Sequence, residues 1–158
     1  MSKGLSWPNV KIKKLVENAV IPFKTHDSDF CYDCVATSEE EIAPGVWKYG
    51  LGLAFQIERT HHWFKDTKEH ILSIDGRPRS SIWKTGMILS NSAPTIDEPY
   101  TGEVSVIFYH VKPEMPRYKV GDRVVQIKLG VTTPLEFEEV SELSETERGS
   151  GGFGSTGK

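Results

Sequence analysis

No stretch of the 158-residue chain approaches the run of about 18 apolar residues that a membrane helix needs, which excludes a helical membrane protein. The opening Met1-Ser2-Lys3-Gly4-Leu5-Ser6-Trp7-Pro8 lacks the apolar centre of a signal peptide, so the sequence predicts a cytoplasmic protein with no membrane partner. Cysteine is scarce: Cys31 and Cys34 are the only two, too few for a disulfide framework or a four-cysteine zinc site. They spell a CxxC, but residues three apart on an extended strand point to opposite faces, so both are read as core thiols. Charge of one sign is also missing. Nineteen Lys and Arg against twenty-two Asp and Glu give a net charge of -3, too balanced for a general binder of nucleic-acid backbones. Internal repeats are absent, and the apolar content of 37% is lean, with the shortfall concentrated at the C-terminal end.

What is present is a period of two. In Glu103-Val104-Ser105-Val106-Ile107-Phe108-Tyr109, residues Val104, Val106 and Phe108 share one face of a strand. Val10 to Lys13 alternates in the same way, and Phe30 to Ala36, Leu51 to Ile57, Ile71 to Ile74, Met87 to Leu89 and Val124 to Leu129 are further strand candidates. Pro44-Gly45, Asp75-Gly76 and Val120-Gly121-Asp122 read as turns between them. Many short strands with regular punctuation predict an all-β barrel or sandwich. One short helix is expected after Ser80-Ser81, where a serine cap precedes Ile82-Trp83-Lys84.

The chain divides into a β domain over 1–135 and a different kind of segment over 136–158. That segment holds six glutamates against Arg148 and Lys158, leaving the preceding residues at +1. Its run from Arg148 to Lys158 is rich in glycine, cannot bury a core and is expected to be mobile. Gly152-Phe153-Gly154-Ser155-Thr156-Gly157-Lys158 begins a phosphate-binding loop pattern, but no strand precedes it and no Ser or Thr follows the lysine. The physics of glycine loops still applies: open backbone N–H groups, two hydroxyls and an arginine can converge on an anion. The tail is therefore read as a mobile phosphate clamp.

Five segments, in order, resemble the motifs of the trimeric deoxyuridine triphosphatases. They are Phe30-Cys31-Tyr32-Asp33-Cys34 with Ile42-Ala43-Pro44-Gly45; Pro78-Arg79-Ser80-Ser81; Asn91 through Gly102, with Ile96-Asp97-Glu98-Pro99-Tyr100-Thr101-Gly102 at its centre; Gly121-Asp122-Arg123-Val124-Val125-Gln126; and the tail from Arg148-Gly149. Departures are Phe30-Cys31 in place of the family's Ala-Gly, Pro94 near its usual glycine, and an inserted loop over 59–71. The loop is read as decoration or as a protein partner's binding site. His61, His62 and His70 with Asp66 lie in or beside it and are read as a solvated cluster rather than a metal site.

The resemblance implies an all-β, distorted jelly-roll-like barrel with one short helix, and a homotrimer whose active sites are shared among three chains. It implies hydrolysis of dUTP to dUMP and pyrophosphate with Mg2+ as cofactor. Asp97 is then the base that activates water, against an Asx-turn residue as the plain alternative. Tyr100 packs under the deoxyribose and excludes a 2′-hydroxyl, the alternative being a core tyrosine. Asn91 and Ile96 belong to the hairpin that reads the uracil edge. Arg79, Ser80, Ser81 and Gln126 suit phosphate oxygens, and Arg148, Gly154, Ser155 and Thr156 close over them. Phe153 stacks on the base. Asp33 holds magnesium through water, whereas Asp122 and Arg123 form a turn and an inter-segment ion pair. The alternatives are a deoxycytidine triphosphate deaminase of the same fold and a nucleotide-binding regulatory protein.

Overall fold

The computed structural model describes residues 8–59 and 69–152. Ten strands run in order β1 (Asn9–Lys14), β2 (Tyr32–Val35), β3 (Ser38–Ala43), β4 (Val46–Gly50), β5 (Leu53–Glu58), β6 (Ile71–Arg77), β7 (Met87–Leu89), β8 (Thr95–Asp97), β9 (Ser105–His110) and β10 (Arg123–Thr132). They form three sheets, β1-β5, β2-β10-β6-β8 and β3-β4-β9-β7, antiparallel throughout. The all-β expectation holds and the jelly-roll description fits broadly, but the sheets do not close into one barrel. Strands β7 and β8, three residues each, stand at sheet edges, too short to extend the ladder around a ring. Among the described residues no helix is long and apolar enough to cross a membrane.

The core follows the predicted alternation. Val104, Val106 and Phe108 are all buried, and Phe108 meets Tyr49 and Tyr118 edge-on, with centroids 5.7 and 5.4 Å away. Such aromatic pairs contribute about 1 kcal/mol each beyond the area they bury. The Tyr49 hydroxyl is satisfied inside this cluster by donating to the Tyr118 carbonyl at 2.8 Å. Cys34 is fully buried, as read, and burial followed by the neighbouring Asp33 charge pushes its thiol up to about 12. Cys31 departs from the core-thiol reading. It precedes β2 and is only partly covered.

Two local expectations are corrected. Asp75-Gly76 is not a turn but lies within β6. Gly76 is needed there for space: a Cβ would stand 2.6 Å from Cγ of Pro94, and its N–H donates to the Pro94 carbonyl at 2.7 Å. The expected helix exists as the 3-10 segment Ser80–Lys84, but Arg79 occupies the capping position and no side chain caps it. Ser80 and Ser81 are instead the first two residues of the helix, past the position from which a side chain caps it.

Outside the sheets, Arg117 ties β3 and β4 to the approach to β10. It donates to Glu39 at 3.0 Å and to the Tyr118 carbonyl at 3.0 Å, and its guanidinium lies 3.5 Å from the Trp47 ring centre. The Arg117 bond is the main reason the Glu39 carboxyl sits below its ordinary value. A carboxyl depressed by folding adds stability that is complete above its unfolded pKa and is lost as pH falls through the folded value. Arg117→Met should therefore lower stability by about 2 kcal/mol at pH 7. Denaturant titrations across pH should show this gap narrowing as acid protonates Glu39; a gap independent of pH would mean that the ring contact and the bond to the Tyr118 carbonyl, not the Glu39 charge, hold Arg117.

Candidate phosphate cleft and edge-strand carboxylate

The site is built on the sheet β2-β10-β6-β8. Residues directly opposite each other on antiparallel strands share a face, and Gln126 stands opposite both Asp33 and Arg77. A bulge in β10 between Arg123 and Val125 adds one residue to that strand. Its first consequence is that Val124 and Val125 are both buried although adjacent. Its second is that Arg123 and Gln126, three positions apart, face the same side as Asp33.

Asp33 organises what gathers there. Its carboxylate accepts from Arg79 Nε at 2.8 Å and from Arg123 Nη1 at 2.9 Å, while being only 13% exposed. Charge-assisted bonds of this kind fix both guanidinium planes. Arg79 also donates to the Ser81 hydroxyl at 3.1 Å, and Arg123 to Thr25 at 3.3 Å. Gln126 Nε2 donates to the Pro78 carbonyl at 3.0 Å, which anchors the segment leading into Arg79. These groups line a cleft of about 430 Å3 together with Lys24, Asp29, Phe30, Cys31 and Ser80. Three cations against two carboxylates in a half-open cleft suit an anion with several oxygens. A second cavity of about 420 Å3, between β1 and the opposite face of the sheet, is lined by apolar side chains such as Val10, Ile12, Phe55 and Ile127 with Lys128 as its one charged residue. It offers no comparable set of donors.

Asp97 lies elsewhere on the same sheet. It ends β8 opposite Ser73 and is exposed. Three strand steps of about 4.8 Å and four residues of about 3.3 Å separate its position from that of Asp33, on the order of 20 Å in all. The carboxylate and the cleft of one chain therefore do not meet. After Asp97 the chain turns, with the Tyr100 N–H donating to the Asp97 carbonyl at 2.9 Å and the Tyr100 hydroxyl donating to the Glu103 carbonyl at 2.9 Å. Tyr100 is 48% exposed, which removes the core-tyrosine alternative. Its ring lies over Gly102, where a Cβ would stand 2.6 Å from the hydroxyl. Ile96 packs against the core opposite Ile74, so its backbone rather than its side chain faces outward from this edge strand.

Asn91 is not in a hairpin. It occupies the crossing between β7, which pairs with β9, and β8, which pairs with β6. There it accepts from the Ser90 hydroxyl at 3.2 Å, and Ser92 takes a left-handed φ of 57°. Arg148 bonds back to the Gly151 carbonyl of its own tail at 3.0 Å. Phe153, Gly154, Ser155 and Thr156 lie outside the described residues, as do His61, His62 and Asp66. Asp122 caps its turn by accepting from the Lys119 N–H at 2.7 Å, as read. Arg123 forms the expected ion pair but also lines the cleft, and Lys24 and Thr25 join it. Sequence reasoning missed these three as cleft residues. The one signal was a Lys-Thr pair just before the acidic run preceding β2.

Among the described residues no group of three or more His, Cys, Asp or Glu side chains is placed to hold a metal ion directly. The donor set does fit a hydrated hard cation held from outside, because Asp33 and Asp29 both line the cleft and a carboxylate keeps lone pairs beyond the bonds these two accept.

An all-β domain with a cationic cleft on one sheet and an acceptor carboxylate at that sheet's far edge defines a protein that binds a polyanionic ligand and carries a separate general-base candidate. Comparison with known proteins makes the class specific. Residues 75–157 match the dUTPase family model. The chain is 37% identical over 151 residues to the deoxyuridine 5'-triphosphate nucleotidohydrolase of Nautilia profundicola, covering 94% of this chain and 99% of that protein. It is 36% identical over 148 residues to the enzyme of the same name from Clostridium novyi, covering 92% and 96%. In fold it is similar to the dUTPase of Staphylococcus bacteriophage 80alpha solved with dUPNHPP, with a TM-score of 0.70 at 21% identity over 95% of this chain and 99% of that one. The chain belongs to the dUTPase family.

Proposed function

We propose that the protein is a dUTP diphosphatase that cleaves dUTP between the α and β phosphates, giving dUMP and pyrophosphate. The observation that carries this reading is the convergence of Asp33, Arg79, Ser80 and Gln126, from three separate segments, on one cleft. In this reading Asp97 accepts a proton from the attacking water and orients it for in-line displacement at the α-phosphorus. Arg79, Ser80 and Gln126 stabilise charge on the phosphate oxygens as the bond to the leaving group breaks. Magnesium, when bound, neutralises the triphosphate, and Asp33 would hold it through water. Asn91 and the backbone at Ile96 read the uracil edge, Tyr100 bars a ribose, and Phe153 with Arg148, Gly154, Ser155 and Thr156 closes over the nucleotide.

The site is assembled between chains of a homotrimer. The separation of Asp97 from its own cleft supports this, because a water held by Asp97 has to reach a phosphate held by Arg79. The arm after Thr132 supports it too: it leaves the last strand with Leu135, Phe137 and Leu143 exposed, as suits a segment that packs on a neighbour.

The test is to incubate the protein with each deoxynucleoside triphosphate and magnesium, measuring pyrophosphate and ammonia. Pyrophosphate from dUTP alone is expected; ammonia from dCTP would establish the deaminase instead. Selectivity at the sugar gives a second readout. Tyr100→Ala should raise kcat/KM for UTP relative to dUTP by about tenfold or more, since one removed steric wall is worth roughly 1.4 kcal/mol or above. An unchanged ratio in a folded variant would remove Tyr100 from the sugar pocket.

A further inference from the structure

Glu98 follows Asp97 directly, yet its side chain does not follow it into solvent. It is held by Arg59, 39 residues earlier, through two bonds: Nε to Oε1 at 2.7 Å and Nη2 to Oε2 at 2.5 Å. Both partners are largely covered, at 13% and 22% side-chain exposure. The same Nη2 also donates to the His70 carbonyl at 3.1 Å. Arg59 thus stands at the end of β5, grips the residue just before β6, and grips the residue after Asp97. A two-point bond between a planar fork and a carboxylate fixes orientation as well as distance.

The neighbouring bonds show why this matters for Asp97. β8 is only three residues long and lies at the sheet edge. On its far side the chain is committed to the turn closed by the Tyr100 N–H on the Asp97 carbonyl. A short edge strand followed by an exposed turn is a segment that opens locally at small cost. Glu98 lies between the strand and the turn, and its carboxylate is bound to the body of the protein by Arg59.

We infer that Arg59 and Glu98 are positioning residues for the reaction, a buried-side clamp that fixes the segment carrying both Asp97 and Tyr100. This inference rests on the reading of Asp97 as the base. Because Arg59 and His70 flank the 60–69 connection, the clamp also ties the geometry of Asp97 to the two ends of the inserted loop. A general base displaced by a fraction of an ångström loses rate without losing substrate affinity, so the effect belongs in kcat.

The test uses Glu98→Gln, which is nearly isosteric, Arg59→Lys, and the exchanged pair Arg59→Glu with Glu98→Arg. With saturating dUTP and magnesium, each single variant should lose about tenfold in kcat while KM changes less than about twofold, and the exchanged pair should recover most of the loss. Amide exchange supplies a readout independent of turnover: the Tyr100 N–H should exchange faster in both single variants and return towards wild type in the exchanged pair. Unchanged kcat with a lower melting temperature would overturn the inference, leaving the pair a structural bond. Equal loss in KM and kcat would also overturn it, by pointing to a damaged binding site. If Asp97→Asn itself retained activity, the base reading would fail, and the Tyr100 exchange rate would still decide whether the clamp holds the turn.

Discussion

Asp97→Asn should lower kcat for dUTP by a factor of at least about 1,000, equivalent to roughly 4 kcal/mol in the barrier, while nucleotide binding remains near normal. The structure makes the substitution a clean one. Asp97 is exposed at the end of β8, its backbone is fixed by pairing with Ser73 and by the Tyr100 N–H, and no side-chain bond to its carboxylate has to be broken among the described residues. An amide of almost the same shape leaves the fold intact but cannot take up the proton of the attacking water. Single-turnover hydrolysis and binding of a non-hydrolysable dUTP analogue separate the two effects. Retention of more than about a tenth of wild-type kcat would take Asp97 out of the base role, and loss of analogue binding would recast it as a binding residue.

Mixing two inactive variants should restore activity. Chains carrying Asp97→Asn lack the base, and chains truncated after Glu147 lack the closing tail, so homotrimers of either should be nearly inactive. If the cleft, the base and the tail of each site come from three different chains, a working site needs a truncated chain to supply Asp97 and an Asp97→Asn chain to supply the tail. Counting around a threefold ring gives about one working site in three for either mixed composition, and about one in four overall for equal random mixing. The within-chain separation of Asp97 from the Arg79 cleft is what makes this outcome the expected one. The truncated chain should keep its thermal stability, because the described residues after Glu147, from Arg148 to Gly152, contribute no buried side chain to the core. Co-refolded material verified as mixed trimer by mass spectrometry, yet inactive, would mean that base and tail serve the cleft of their own chain, and the shared-site model would fall.

Most chemically committed residues were legible without coordinates because their local chemistry is distinctive. An Ile-Asp pair before a turn, an Arg-Ser-Ser after a proline and an arginine in glycine each carry a physical signature in a few consecutive residues. Strands with clean alternation were legible for the same reason, and Val104, Val106 and Phe108 lie where period two puts them. Strand β3 was not, since Ser38–Ala43 carries three consecutive glutamates and is mostly exposed as a sheet edge. A strand with no buried face leaves no alternation to detect. β4 was missed because Val46–Gly50 is covered along its whole length, with no exposed residue to mark a period.

The amino-acid sequence by itself determined the all-β class, the family resemblance and the identity of the groups proposed to handle a nucleoside triphosphate, because these depend on residue types and spacings along the chain. The tertiary structure alone decided which of those groups meet. One extra residue in β10 turns Arg123 to the face of Asp33 and Gln126, and strand order places Asp97 at the opposite edge of the sheet from that cleft. Arg59 reaches Glu98 across 39 residues of sequence. Parity across a bulge, strand order and contacts at long range are properties of pairing between distant segments, and pairing is settled only when the whole core closes.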